Sequence, residues 1–354
     1  MKRSNTHIIL YLFLSFFSCG NEPVTGYEPT PEPLKIPPLF ESYILAPVLP
    51  IDNPQTIEGV ALGKQLFFDP ILSGDNTQAC ADCHAPQNAF TDINRFSTGI
   101  TGTLGKRNAM PLFNLAWNYD EKFFWDGRSF SLEHQVFRPV ADPTEMASIW
   151  KDLVVELQNH PEYPQKFKDA FGTSKIDSTL VTKAIAQFER TLISANSKFD
   201  KYLLGQVELT PNELNGFNVF MDGEKGDCFH CHGSDKNPLW TDNLFHNNGL
   251  DSSFSDLGLG VITGDPADNG KFKTPSLRNL AYTAPYMHDG RFATLEEVIN
   301  HYSEGLKNSS TIDPLMKFVN QGGVQLSQQE KADLKAFLLT LSDPEFISNP
   351  NFKP

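Results

Sequence analysis

The chain has 354 residues, enough for two domains of ordinary size, and hydrophobic residues make up 40% of it, as in a soluble globular protein. Its formal net charge is −14, which argues against nucleic-acid binding because such sites need a basic face. An acidic surface can instead attract a basic partner protein, although it also serves solubility alone.

The N-terminal part of the chain indicates export followed by a tether. Residues 1–18 begin with two basic residues and continue with an apolar run, residues 8–17, that is too short to span a bilayer permanently. Cys19 follows a small residue, a pattern that resembles a bacterial lipoprotein signal. We therefore predict lipidation of Cys19, with plain secretion as the alternative. Residues 19–55 are rich in proline and predict an extended tether that holds the exported, periplasmic protein to the membrane.

Two short motifs carry the main chemical signal. Both read C-x-x-C-H, and their residues are Cys80, Cys83 and His84 in the first and Cys228, Cys231 and His232 in the second. A redox dithiol needs no adjacent histidine, and a zinc site made from the four thiolates would leave two histidines idle. C-x-x-C-H is the attachment signature of c-type haem, in which the histidine becomes an axial iron ligand. The sequence therefore predicts two covalently bound haem c groups, with the dithiol and the zinc site as alternatives.

Helical signals dominate the remaining sequence. From Thr179 to Leu192, apolar residues recur at helical spacing, whereas alternating strand patterns are sparse. Three capping boxes predict helix starts, at Thr210–Glu213, Thr294–Glu297 and Ser327–Glu330. We predict a mainly α protein with long loops, built from two c-type-cytochrome-like domains, residues 56–200 and 201–345, with one haem each.

Several longer stretches surround these motifs. They are L-G-K-Q-L-F-F-D-P-I-L-S (62–73), K-R-N-A-M-P (106–111), F-W-D-G-R-S (124–129), T-P-S-L-R-N-L (274–280) and A-P-Y-M-H-D-G (284–290). Together they resemble the bacterial dihaem cytochrome c peroxidase family, and the resemblance covers residues 55–342. It implies a reactive haem at His84 and an electron-transfer haem at His232. The family also includes MauG-like members, which oxidise a protein substrate.

The resemblance implies three functional residues near the first haem. Gln135 and Glu145 match a glutamine and a glutamate of the peroxide pocket. Cleavage of peroxide needs a proton taken from one oxygen and delivered to the other, which a buried carboxyl at Glu145 can do, while the Gln135 amide orients the peroxide. Trp125 matches a tryptophan that lies between the haems and relays electrons. The alternatives are a surface carboxylate for Glu145 and an ordinary core residue for Trp125.

The sequence departs from the peroxidase pattern beside the first haem. Many peroxidases of the family block the reactive iron with a second histidine, and the corresponding position here is Ile100 or a neighbour in the stretch 96–102. No histidine occurs between His84 and His134. The first haem is therefore expected to have an open coordination position even when fully oxidised, which is a MauG-like feature.

A second departure concerns the second haem. Peroxidases of the family supply a methionine as its distal ligand, and the matching position here is Tyr302, as in MauG. A phenolate ligand favours oxidised iron and a low potential. The alternatives are that Tyr302 is a packed core residue or that His301 is the ligand, and Met287 is expected to belong to the core.

The resemblance also implies a Ca²⁺ ion at the domain interface. Its ligands would be the Asn108 side chain and the carbonyl oxygens of Thr283 and Pro285, which are the oxygen ligands that Ca²⁺ prefers. His288 matches a histidine with a hydrogen-bonding or packing role. The remaining histidines of residues 56–345 carry no motif and are expected to be structural or exposed: His134, His160, His230 and His246.

Three functions are compatible with this sequence. The first is reduction of hydrogen peroxide to water, with electrons from a small cytochrome c or cupredoxin. The second is MauG-like oxidation of a protein substrate. The third is electron transport without catalysis, which the Gln135–Glu145 pair disfavours because a carrier needs no acid–base pocket. Relatives often form dimers, so a homodimer is a further expectation.

Overall fold

The structure is a computed structural model that describes residues 27–354. The predicted export signal and Cys19 lie outside the described residues. Within residues 27–354, no helix has both the length and the apolar character needed to cross a membrane.

Helices make up most of the regular structure in this range. They are α1 (Pro38–Tyr43), α2 (Ile57–Phe68), α3 (Cys80–Cys83), α4 (Leu132–Ala141), α5 (Trp150–Asn159), α6 (Tyr163–Phe171), α7 (Ser178–Arg190), α8 (Lys198–Leu203), α9 (Pro211–Met221), α10 (Phe229–His232), α11 (Leu259–Thr263), α12 (Leu295–Glu304), α13 (Gln328–Leu339) and α14 (Pro344–Ser348). Single 3-10 turns occur at Pro70–Leu72, Pro86–Asn88, Leu115–Trp117, Pro266–Asp268, Val319–Gln321 and Pro350–Phe352. Two short strands, β1 (Phe245–His246) and β2 (Phe272–Lys273), pair antiparallel. The mainly α prediction is therefore confirmed.

The predicted helix starts are confirmed by their side-chain caps. Thr210, Thr294 and Ser327 each accept a hydrogen bond from the backbone N–H three residues later, and the glutamate at that position accepts one in return. These reciprocal bonds satisfy N–H groups that have no partner within the helix. The helix predicted over 179–192 is α7, and it is buried on nearly every side.

Two helix pairs form the centres of two apolar cores. In the first, α2 crosses α7, and a Cβ at Gly63 would lie 1.9 Å from the Ala184 carbonyl oxygen. In the second, α9 crosses α13, and a Cβ at Gly216 would lie 1.9 Å from the Asp333 carbonyl oxygen. Each crossing is therefore close enough to require glycine. In each pair, the helix that carries the glycine precedes a C-x-x-C-H motif in the chain, and its partner helix follows that motif.

The C-terminus returns to the first core. Phe346 and Phe352 are buried in the cluster that α2 and α7 build. Their rings lie 5.7 and 6.2 Å from the ring of Phe90, measured between centroids. Aromatic rings at these separations pack favourably. The last residues of the chain thus complete the core that surrounds the first C-x-x-C-H motif.

The described part of the predicted tether, residues 27–55, contains a packed segment. Helix α1 buries Leu39 and Phe40, and the Phe40 ring meets the Trp117 ring edge-on with centroids 4.9 Å apart. This contact belongs to a small apolar cluster that also includes Leu239. Residues 38–43 are therefore anchored on the protein body.

Candidate active site

The first C-x-x-C-H motif forms the single turn α3. The Asp82 carboxylate accepts a hydrogen bond of 2.8 Å from the Ala79 N–H and closes the start of this turn. The His84 ring lies 2.8 Å, through Nδ1, from the Phe90 carbonyl oxygen. A carbonyl only accepts, so Nδ1 carries the proton and Nε2 keeps its lone pair. Burial lowers the pKa of His84, which favours the neutral ring that a metal ligand requires.

The thiols of this motif are partly buried and lie on the wall of a large cavity. Burial raises the pKa of Cys83 to about 11 and that of Cys80 still further. Burial thus disfavours the free thiolate that a dithiol redox site uses. The cavity has a volume of about 1000 Å³ and is lined by both cysteines and by His84. These features fit a covalently attached haem whose iron is bound by His84 Nε2.

The four cysteines do not form a shared metal site. Among the described residues, the only close group of three or more cysteine, histidine or carboxylate ligands is Cys231, Asp242 and His246. A four-thiolate zinc site is therefore incompatible with this structure. Each C-x-x-C-H motif instead has surroundings of its own.

Gln135 and Glu145 line the same cavity as the first motif. Gln135 lies in α4, and its buried Oε1 has no hydrogen-bond partner in residues 27–354. Glu145 lies in the loop after α4, and burial, together with the Asp142 charge, raises its pKa. The Glu145 carboxyl, with its raised pKa, and the Gln135 amide oxygen thus lie on the wall of one pocket. A polar ligand in this pocket could form hydrogen bonds with both side chains.

The loop that contains Ile100 is hydrogen-bonded to the backbone of Glu145. The Ile100 N–H donates a hydrogen bond of 3.0 Å to the Glu145 carbonyl oxygen. Ile100 is absent from the residues that line the cavity, and within the described chain His84 is the only histidine that lines it. A second histidine ligand is therefore missing from the pocket.

Trp125 lies between the two halves of the molecule. It is buried, lines the cavity and donates a hydrogen bond of 2.8 Å from Nε1 to the Asn108 carbonyl oxygen. Its own carbonyl oxygen accepts a hydrogen bond of 2.9 Å from the Lys273 N–H in β2. These contacts fix the indole between one segment from each half of the chain.

The second C-x-x-C-H motif forms α10 and the residue before it. Burial raises the pKa of Cys228 and of Cys231 to about 12, and it lowers the pKa of His232 to about 4. The motif therefore presents protonated thiols and a neutral imidazole, as the first one does. His232 Nδ1 is buried and forms no hydrogen bond within the described chain. These features fit a second covalent haem.

Tyr302 and His301 differ in their surroundings. Tyr302 lies in α12, and burial raises its pKa to about 12, with further increases from the thiols of Cys231 and Cys228. Its hydroxyl accepts a hydrogen bond of 3.0 Å from the Asn248 side chain. His301 Nε2 lies 3.3 Å from the Asn248 carbonyl oxygen instead. The phenol thus shares its environment with the haem-attachment thiols.

The residues expected around Ca²⁺ lie in two segments of the chain that are joined by a hydrogen bond. The Asn108 backbone N–H donates a hydrogen bond of 2.8 Å to the His288 carbonyl oxygen, three residues beyond Pro285. The Asn108 side-chain nitrogen lies 3.2 Å from the Asn94 carbonyl oxygen and donates to it, which leaves Oδ1 free to bind a cation. Thr283 is buried, and Pro285 follows a cis peptide bond. His288 is buried and stacks on Phe272 with ring centroids 3.6 Å apart.

Sequence reasoning missed three polar groups near these sites. Glu189 is buried, lines the cavity and has an Oε2 without a hydrogen-bond partner in the described chain, and burial raises its pKa to about 8. His246 lies between two carboxylates, Asp242 at 2.9 Å and Asp313 at 2.6 Å. Lys273 is buried at the domain interface. Each acquires its surroundings from residues distant in sequence, so no local signal marks it.

Comparison with known proteins identifies the family. The protein-family model of the di-haem cytochrome c peroxidases matches residues 57–208 of this sequence. The methylamine utilization protein MauG of Methylorubrum extorquens is 39% identical over 85% of this chain and 83% of its own. The cytochrome c551 peroxidase of Nitrosomonas europaea is 34% identical over 87% of this chain and 86% of its own. The crystal structure of a MauG-like protein associated with microbial copper homeostasis is 37% identical, with a TM-score of 0.80, over 88% of this chain and 97% of that one.

The fold and the two haem-attachment sites define a dihaem oxidoreductase. This chain belongs to the dihaem cytochrome c peroxidase family, whose members carry two haem c groups. The family prediction is therefore confirmed. The relatives include both peroxidases and MauG proteins, so both branches of the family remain relevant to function.

Proposed function

We propose that this protein reduces hydrogen peroxide to water with electrons from a small redox protein, a cytochrome c or a cupredoxin. The observation that carries the proposal is the position of Glu145 and Gln135 on the same cavity as Cys80, Cys83 and His84. A carboxyl with raised pKa and an amide beside a haem form an acid–base pocket. A pure electron carrier has no use for such a pocket, which disfavours the third candidate function.

The chain supplies proton transfer and orientation. When bound, the haem supplies the iron that takes up peroxide and the electrons that break its O–O bond. Glu145 removes the proton from one peroxide oxygen and returns it to the other, which leaves as water. Gln135 holds the peroxide through its amide and stabilises developing charge. Two electrons and two further protons complete the conversion of peroxide into two water molecules.

The pocket is open without prior reduction. His84 is the only histidine on the cavity wall within residues 27–354. The family resemblance matches Ile100, or a neighbour, to the position of the blocking histidine. No ligand has to leave before peroxide binds. The fully oxidised protein is therefore competent for the first step.

With both haems bound, the second would supply electrons to the first. We assign residues 56–200 to the domain of the reactive haem and residues 201–345 to that of the electron-transfer haem. His232 and Tyr302 would hold the second iron. Within the described chain, the half-buried Tyr302 hydroxyl meets only the Asn248 side chain, whereas His301 Nε2 already lies 3.3 Å from the Asn248 carbonyl oxygen, which supports Tyr302 over His301. Trp125, held by Asn108 and Lys273, provides the aromatic bridge between the two.

The decisive experiment uses the fully oxidised holoprotein. Hydrogen peroxide is added with reduced cytochrome c, and cytochrome oxidation is followed without any reductive pretreatment. The parent should turn over at once, and Glu145→Gln should lose about 10²–10⁴-fold in rate because the proton acceptor is gone. Glu208→Gln, an exposed carboxylate in the loop before α9, is the control and should match the parent.

MauG-like oxidation of a protein substrate is the second candidate. It is favoured by Tyr302 and Ile100 and by the 39% identity to a MauG protein. Its signature in the same experiment would be a long-lived oxidised spectrum after peroxide with negligible oxidation of cytochrome c. That outcome would refute the peroxidase proposal and direct the search to a partner protein.

Location and assembly complete the proposal. The protein is exported to the periplasm and anchored through a lipid on Cys19, with the part of the proline-rich segment 19–55 that precedes α1 as its connection to the membrane. One Ca²⁺ ion binds Asn108, Thr283 and Pro285 at the domain interface, and two copies form a dimer. Mass spectrometry of the mature N-terminus tests the lipid, and calcium analysis of an Asn108→Ala variant tests the ion.

A further inference from the structure

Lys273 is a buried amine without a carboxylate partner. Only 6% of the residue is exposed. Its Nζ donates hydrogen bonds to the Asn243 carbonyl oxygen at 2.6 Å and to the Asn118 side-chain oxygen at 3.2 Å. Both acceptors are neutral, and in residues 27–354 no carboxylate lies within ion-pair distance of Nζ. A buried ammonium group with two neutral acceptors has one N–H group without an acceptor and a positive charge without a counter-ion.

The surroundings of Lys273 reinforce this imbalance. Burial lowers its pKa to about 8, even though the charges of Asp120 and Asp242, neither within ion-pair distance, act to raise it. The ammonium lies 5.4 Å from the centre of the Phe245 ring, a weak cation site. The strand pair fixes the residue, because Lys273 pairs with Phe245 across β1 and β2. The backbone of Lys273 is thus fixed, and its amine cannot turn out to water without breaking both of its hydrogen bonds.

Lys273 also lines the cavity that begins at the first haem-attachment motif. Three other basic residues line it, but they differ from Lys273. Arg107 and Arg128 already form ion pairs with carboxylates at 2.5 and 3.1 Å, and Lys106 is exposed. Among the described cavity residues, Lys273 is thus the buried cation that still lacks an anion.

We propose that Lys273 binds a propionate carboxylate of a haem held in this cavity. Haem c is attached through the vinyl edge, and its two carboxylates project from the opposite edge. Cys80 and Cys83 fix the vinyl edge of the first haem, and Lys273 lines the cavity from the other half of the chain. The first haem is therefore the expected source, although a carboxylate of the second haem has the same chemistry.

This contact deepens the haem-binding part of the proposed function. An ammonium beside a propionate offsets its negative charge and makes addition of an electron to that haem more favourable. The same residue donates its backbone N–H to the Trp125 carbonyl oxygen at 2.9 Å. Lys273 thus has two roles. Its backbone helps to position Trp125, and its side chain raises the reduction potential of the haem.

The test is a redox titration of the holoprotein, with each haem followed by its own absorption band. Lys273→Met removes the charge, Lys273→Gln removes the charge but keeps an N–H donor for the two neutral acceptors, and Lys273→Arg keeps the charge. Lys122→Met is the matched control. Its amine lies 5.8 Å from the centre of the same Phe245 ring but is half exposed and already paired with Asp120.

Both neutral variants should lower the ferrous-to-ferric ratio of the first haem about tenfold at a fixed applied potential, which is about 59 mV for one electron. Lys273→Arg should stay close to the parent, and Lys122→Met should leave the ratio unchanged. The propionate bending band in the resonance Raman spectrum should move in Lys273→Met and Lys273→Gln only. If Lys273→Met fails to accumulate, Lys273→Gln alone decides the question.

A shift confined to the second haem would support the same contact and assign the carboxylate to that haem. Unchanged ratios in both neutral variants would overturn the inference, as would equal shifts in Lys122→Met, which would show a distant charge effect. Peroxidase turnover plays no part in the titration. Failure of the catalytic proposal would therefore leave this result standing, and the reverse also holds.

Discussion

Replacing Gly99 by alanine should disable the peroxide pocket without touching any group that reacts. A Cβ at Gly99 would lie 2.2 Å from the Thr144 carbonyl oxygen and 2.6 Å from that of Glu145, where ordinary contact begins at 3.4 Å. The segment that carries Glu145 must therefore move by about 1 Å, because these are rigid backbone atoms. A misplacement of this size costs about 100-fold in rate. At about 1.36 kcal/mol for each tenfold, this corresponds to about 2.7 kcal/mol of lost transition-state stabilisation.

The assay is kcat/KM for peroxide with reduced cytochrome c, together with haem content as a check of folding. Gly105→Ala is the control in the same loop, because a Cβ there would lie 3.6 Å from its nearest neighbour, the Ser97 carbonyl oxygen. It should retain parent activity. A Gly99→Ala protein with full haem content and a kcat/KM equal to that of the parent would refute the reasoning that the loop fixes Glu145.

Three further predictions concern a titration, a ligand and an ion pair. Burial raises the pKa of Glu145, so the acid limb of kcat/KM should lie above the range of an ordinary glutamate, with activity falling as the pH drops through it; a limb in the ordinary range would contradict this. Tyr302→Phe should change the absorption spectrum and raise the potential of the second haem, whereas His301→Gln should change neither; the opposite pattern would assign the ligand to His301. The Arg278–Asp200 ion pair is fully buried, so Arg278→Met should lower the free energy of unfolding by about 3–5 kcal/mol in denaturant titrations, and a loss below about 1 kcal/mol would show that the pair is dispensable.

The sequence predicted those features that a short stretch of chain determines by itself. A capping box needs residues three apart, and the boxes at Thr210, Thr294 and Ser327 are present as predicted. A C-x-x-C-H motif holds its thiols and its histidine on one turn, so the haem-attachment prediction needed no tertiary information. The mainly α architecture follows from helical periodicity, which is also a local property.

Residues whose role depends on distant neighbours were not predictable in this way. Lys273 and Glu189 are charged residue types that usually lie in water, and only the assembled cavity reveals that both are buried. His246 seemed to carry no motif, yet folding brings it to Asp313, 67 positions away in the chain. Resemblance to a family supplied Gln135 and Glu145 as matched positions, but the unpaired Gln135 oxygen and the supporting Ile100 loop came from the structure.

The return of Phe346 and Phe352 to the first core has a consequence for biosynthesis. The ribosome makes the chain from its N-terminus, so the cluster around Phe90 stays incomplete until Phe346 and Phe352 have been made. Cys80 packs against this cluster, so the surroundings of the first C-x-x-C-H motif are complete only when the second half of the described chain is present. The two halves are therefore expected to depend on each other for folding, although each has an apolar core of its own.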